Sequence, residues 1–223
     1  MLIHCVGDSH TNFFSGYDAP QPEWPGEGIR NRYDFFRCYR IGPVLAYNLC
    51  DVNTTMRGRE KLLLLLEQLQ SGSHVMFCFG EIDCRAHIVL QSQKQNKPTL
   101  EIVKKAVSRY FSVIREVRAM GFHPLIWNVV PSAPSDINAK ILLPSQYLFH
   151  GTCEERNSVT RQFNTYLKDL AGSENIFFLD VFDYLMNEDG SVKREYYRDE
   201  IHLGQQAMPL VLENIRHYMN GHT

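Results

Sequence analysis

"LIHCVGDSH" (residues 2–10) decides the fold. A short apolar run stops at Gly7, and three polar residues, Asp8, Ser9 and His10, follow at once. Such a run is too short for a helix and reads as a buried strand ending in a glycine turn. The same pattern returns along the chain in "YDFFRCYRI" (33–41), "HVMFCFG" (74–80), "HPLIWNVVP" (123–131) and "NIFFLDVF" (175–182). At least three of these five segments are near-continuous apolar runs, as expected for strands buried on both faces.

Helical signals fall between the strands. "GPVLAYNLC" turns at Gly42 and Pro43 into a short helix, and "GREKLLLLLEQLQSG" (58–72) predicts a helix closed by Gly72. Residues 99–121 carry apolar residues at helical spacing, with Thr99 as the expected N-cap and Gly121 past the end. After an irregular stretch from Ser132 to about Gly151, "CEERNSVTRQFNTYLKDLAG" predicts a helix with a polar face, and a closing helix follows in "LGQQAMPLVLENIRHYM", where Pro209 kinks or delays the start. Strands alternating with helices give a single three-layer α/β/α domain over residues 1–223. The five strands are expected to be parallel, with working groups at their carboxyl ends.

Composition narrows the function. The 223 residues carry a formal charge of −2 and no strongly basic patch beyond "RGREK" (57–61), which disfavours nucleic acid as a partner. The longest apolar run, "LLLLL" (62–66), is far short of the roughly 20 residues of a membrane span, and the first strand leaves no room for a secretory signal, so a cytoplasmic protein is expected. Six cysteines (5, 38, 50, 78, 84 and 153) form no CxxC pair and are expected to be reduced thiols. The Pro- and Gly-rich loop "GYDAPQPEWPGEGIRN" (16–31) excludes a helix or central strand there, and the aromatic and Pro-rich segment from Tyr17 to Tyr39, with Trp24, Tyr33 and Phe35, is a candidate wall of a binding pocket.

Ser9 by itself fits a turn or a helix cap. The distant stretch "YYRDEIHLG" (196–204) adds Asp199 and His202 three residues apart, a spacing at which a carboxylate can orient an imidazole. A serine nucleophile needs such a base and a third group to hold it.

"GDSH", Gly42 after the second strand, "FGEID" after the third and "DEIHLG" near the C-terminus together resemble the SGNH, or GDSL-like, hydrolases, in the family's order from Cys5 to Gly204. The resemblance implies the SGNH hydrolase fold, with its five parallel strands in flavodoxin-like order 2-1-3-4-5, and a serine esterase or acylhydrolase that works without a cofactor or metal. Ser9 matches the family's nucleophile, and Asp199 and His202 its other triad members. The backbone N–H groups of Ser9 and Gly42 match two donors of its oxyanion hole. The family's third donor is the Asn of a Gly-x-Asn-Asp block; here Ile82 stands in that place, between Gly80 with Glu81 and Asp83. Arg85 is then a candidate replacement donor, against the alternative of a salt bridge to Glu81 or Asp83. Asp8, His10, Glu81 and Asp83 are candidate substrate-binding residues.

The substrate class this implies is a small acyl ester, with an O-acetyl group on a carbohydrate first. Three rivals stand beside it: an acyltransferase using the same triad, a non-catalytic binding module that lost the hole at Ile82, and a metal site gathered from His4, Cys5, His10, Cys84, His87 and His202, whose spacings match no zinc signature. The partner expected is a small-molecule or carbohydrate ester.

Overall fold

The computed structural model describes residues 1–134 and 149–221. Its five strands are β1 (Ile3–Gly7), β2 (Phe36–Arg40), β3 (His74–Cys78), β4 (His123–Trp127) and β5 (Phe177–Leu179). All pair in parallel, in the order β2-β1-β3-β4-β5 expected from the sequence. The helices are α1 (Gly58–Gln68), α2 (Ile88–Gln95), α3 (Thr99–Ala119), α4 (Cys153–Ser173) and α5 (Met208–Asn220).

Side chains alternate across each strand, and both faces find an apolar partner. Val6, Val75, Phe77 and Ile126 face a core built with α1, α3 and α4, including Leu62, Val107, Ile114 and Phe163. Cys5, Cys38, Met76 and Trp127 face the opposite core, closed by Phe13, Phe14 and the α5 residues Met208, Val211 and Ile215. This two-sided burial explains the near-continuous apolar runs.

Local details differ from the expectation. The helix expected after Gly42 is a single 3-10 turn, Ala46–Asn48. Thr99 is the first residue of α3 rather than its cap, because Pro98 holds the extended backbone before it. α1 ends at Gln68, and Gly72 instead makes the left-handed turn into β3. β5 keeps three of eight residues. α2 was given no signal by periodicity, since its second half, "QSQKQ", is polar and a π-turn, Asp83–His87, precedes it. α4 begins on a capping box of Thr152 and Glu155. Pro209 stands in the first turn of α5, where it delays the start without a kink. The stretch from Ser132 to Gly151 lies mostly outside the described residues. All six cysteines are free thiols, with Cys50 and Cys153 half-buried and the other four buried.

Gly7 is required by close approach. A Cβ there would lie 2.1 Å from the Cys78 carbonyl oxygen and 2.4 Å from Thr11 Oγ1. The turn carrying Ser9 thus rests directly on the end of β3. Gly7→Ala is expected to lower stability by about 1–3 kcal/mol through overpacking, measured as a shift in the urea midpoint.

Candidate active site

β1 delivers its last residue into a 3-10 turn, Ser9–Ser15, whose N-cap Asp8 accepts the His10 N–H at 2.9 Å. Ser9 is therefore both the residue after a cap and the start of a turn at a strand end. Its hydroxyl lies 2.8 Å from His202 Nε2. On the other side of the ring, Nδ1 lies 3.0 and 2.9 Å from the two carboxylate oxygens of Asp199. A carboxylate only accepts, so Nδ1 carries the proton and Nε2 is left to accept from Ser9.

The loop that carries Asp199 and His202 is tightly made. Tyr197 and Leu203 form an antiparallel bridge, and the Arg198 N–H donates to the His202 carbonyl at 3.1 Å. Asp199 Oδ1 also accepts the N–H groups of Ile201 (2.8 Å) and His202 (2.7 Å), so the spacing of three makes an Asx turn that fixes both side chains. Two bonds hold this loop over the strand ends: Tyr197 Oη donates to the Pro131 carbonyl at 2.6 Å, and Gln205 Nε2 donates to the Phe13 carbonyl at 2.8 Å.

Electrostatics favour a neutral base. Burial lowers the pKa of His202, Asp199 opposes this, and His10 and Arg198 reinforce it, for a net shift below the ordinary imidazole value. Burial alone would raise Asp199, but its bonds and charge interaction with His202 hold its carboxyl well below the usual range.

Behind Ser9, His202 and Asp199 lies a buried charged array. His10, 6% exposed, tilts against the His202 ring with centroids 4.9 Å apart, and its Nε2 stands 3.4 Å from Glu81 Oε2, an ion contact rather than an aligned hydrogen bond. Arg85 Nε donates to Glu81 Oε1 at 2.6 Å. Burial pushes Glu81 up, but the charges of Arg85 and His10 outweigh it and bring its pKa down to about 2. Burial would lower His10, and Glu81 and Asp8 raise it instead. Asp8, fully buried, is pushed up to about 6.

Gly42, φ +107°, lies at the β2 end, on the other side of β1 from β4. Four residues on, the Ala46–Asn48 turn is held by Asp83, whose carboxylate accepts the N–H groups of Ala46 at 2.7 Å and Tyr47 at 3.0 Å, while burial pushes its pKa up to about 7. Asp83 thus braces the backbone of this turn. Ile82 is buried, 4% exposed, and brings no donor.

On the His202 side, a narrow recess over Ser9 is lined by His10, Asn12, Tyr17, Trp127, Val130 and Arg198, among others. Trp24, Tyr33 and Phe35, expected as a pocket wall, do not line it. Trp24 packs edge-on against Tyr39, and Tyr33 and Phe35 stack on each other beside Phe36, because the sheet edge offers these rings more apolar surface than the strand ends do. Tyr17, from the segment expected as a pocket wall, does line it; Trp127 and Arg198 carry no motif, and only the folded chain reveals them. Of the histidines and cysteines considered as metal ligands, His10 and His202 stand side by side, but among the described residues no group of three His, Cys, Asp or Glu side chains could hold an ion.

The sequence profile of the GDSL-like Lipase/Acylhydrolase family matches residues 5–208. No curated protein sequence matches the chain. Solved structures share the fold at low identity. The acetyl xylan esterase AlAXEase is 15% identical with a TM-score of 0.54, covering 98% of this chain and 99% of that one. A catalytic mutant of Axe2, an acetylxylan esterase from Geobacillus stearothermophilus, is 13% identical with a TM-score of 0.57, covering 96% and 92%. A member of the lipolytic G-D-S-L family from Veillonella parvula DSM 2008 is 17% identical with a TM-score of 0.55, covering 97% of both chains.

Glu81→Gln is expected to cost about 3 kcal/mol at neutral pH by leaving the buried Arg85 and His10 without their counter-charge. The folded pKa of Glu81 lies below its ordinary value of 4.5, so its contribution is complete above that value and is lost as pH falls toward 2. The stability gap between the variant and the native chain, followed by denaturant melts across pH, is therefore expected to shrink on acidification.

Proposed function

The chain belongs to the GDSL-like lipase/acylhydrolase family and is a hydrolase, and from that premise we propose that it is a serine esterase in which Ser9, His202 and Asp199 form the catalytic triad. The observation that carries this reading is the continuous path from Ser9 Oγ through His202 Nε2 and Nδ1 to Asp199, with bonds of 2.8 and 2.9 Å.

His202 Nε2 takes the Ser9 proton as Oγ attacks the acyl carbonyl. The charge that develops on the carbonyl oxygen is met by the backbone N–H groups of Ser9 and Gly42, which the Asp83-braced turn keeps in place. Asp199 holds the ring in its Nδ1–H tautomer and stabilises the imidazolium. The imidazolium then gives its proton to the leaving alcohol, and a water deprotonated by His202 releases the acid from the acyl-enzyme. Arg85, through Glu81, acts as a positioning residue for His10 behind this relay.

A small acyl ester, with an O-acetyl group on a carbohydrate first, is the substrate class we propose. The fold shared with two acetylxylan esterases supports that choice.

A fluorophosphonate probe is expected to label the native chain and not Ser9→Ala, and the variant is expected to lose at least about 10⁴-fold in kcat on p-nitrophenyl acetate. Equal labelling of both, or undiminished turnover, would remove Ser9 from the mechanism. The base must be unprotonated, and the pKa of His202 is shifted down, so the acid limb of kcat/KM is expected to be centred below the ordinary imidazole value of 6.5. An acid limb centred above 6.5 would contradict a neutral His202 in the free enzyme.

A further inference from the structure

Arg198 borders the recess over Ser9 together with His202 and Tyr17. Its side chain is 18% exposed, yet no hydrogen bond from its guanidinium is formed among the described residues, and its Nε is fully covered. The nearest acceptor, Asp199 Oδ2, lies 3.3 Å from Nε without hydrogen-bond alignment and already takes the Nδ1–H of His202. A guanidinium holds five donors in a fixed fork that matches a carboxylate, and leaving the covered Nε–H unmade is costly. Asp199 supplies a neighbouring charge but no matching pair of bonds. A second cation stands close by, because Arg30 lies over the Tyr17 ring at 5.1 Å.

The side of Ser9 on which Arg198 lies also matters. The alkoxide that leaves in acylation must take its proton from His202 Nε2, so the alcohol half of the ester departs on the His202 side, where Arg198 is. The oxyanion donors belong to the opposite side, toward Gly42.

We propose that Arg198 is a specificity-determining residue that binds a carboxylate on the alcohol half of the substrate, which makes the preferred substrate an acylated acidic sugar of the uronic acid type rather than a neutral one. This rests on the assignment of Ser9 as nucleophile. The carboxylate would take the guanidinium donors that the protein leaves open, and its binding would orient the scissile ester over Ser9.

The test compares an O-acetylated galacturonate oligosaccharide with the same compound after methyl esterification of its carboxylates, which removes the charge and keeps the acetyl pattern. An acyl-side arm uses p-nitrophenyl hemisuccinate against p-nitrophenyl acetate. For the native chain, KM is expected to be about tenfold or more lower for the free acid than for its methyl ester, the size of one charge-assisted contact. No comparable preference is expected for the hemisuccinate. Arg198→Met is expected to raise KM for the free acid by at least that factor more than for the methyl ester, and Arg198→Lys to restore part of the difference. Equal KM values for acid and methyl ester, equal losses on both in Arg198→Met, a preference confined to the hemisuccinate, or turnover of neither sugar ester by a chain that still takes the fluorophosphonate label would each overturn the proposal. Failure of the label itself would instead overturn the assignment of Ser9, on which the proposal stands.

Discussion

The bond between Ser9 Oγ and His202 Nε2 joins residues 193 positions apart, and the architecture around it exists to hold its two ends. Neither end is self-sufficient. The Ser9 turn needs β1 to finish against β3, with Gly7 in contact with the Cys78 carbonyl, and the His202 loop needs its own bridge plus anchors at Pro131 and Phe13. A parallel sheet brings all its strands to the same end, so two short loops from opposite ends of the chain meet there without distortion of either.

Charge organises the layer beneath that bond. Glu81 receives Arg85 and stands beside His10, and His10 tilts against His202, so a carboxylate at the β3 end reaches the base through one intervening ring. Asp83 faces the other way and accepts the N–H groups of Ala46 and Tyr47 in the turn that follows Gly42. Two acidic residues two positions apart thereby serve both sides of the site. Ile82 between them packs into the interior, which is consistent with the brace being carried by its neighbours.

The strands and their parallel pairing were legible in the sequence because apolar runs and glycine ends are strong local signals, while the strand order and the meeting of Ser9 with Asp199 and His202 came from the family's order of motifs together with a three-residue acid–base spacing. The recess was legible only in part. Tyr17 belongs to the segment expected as a pocket wall, whereas Trp127 and Arg198 come from a strand end and a hairpin, and nothing in their local sequence says which way they point. The opposite error was made for Trp24, Tyr33 and Phe35, whose aromatic character suggested a pocket, whereas burial at the sheet edge claimed them. α2 escaped because polar residues hide its periodicity, and Arg85 became clear only when the π-turn set it one helical step from Glu81.

The account stands on Ser9 carrying the acyl group between two half-reactions. Rapid quenching of the native chain during turnover of p-nitrophenyl acetate, followed by peptide mass spectrometry, tests this most directly. One acetyl group on Ser9, in the peptide that holds Asp8 and His10, is the result the account predicts. Acetyl on any other residue, or turnover with no acetylated peptide at any quench time, would contradict it.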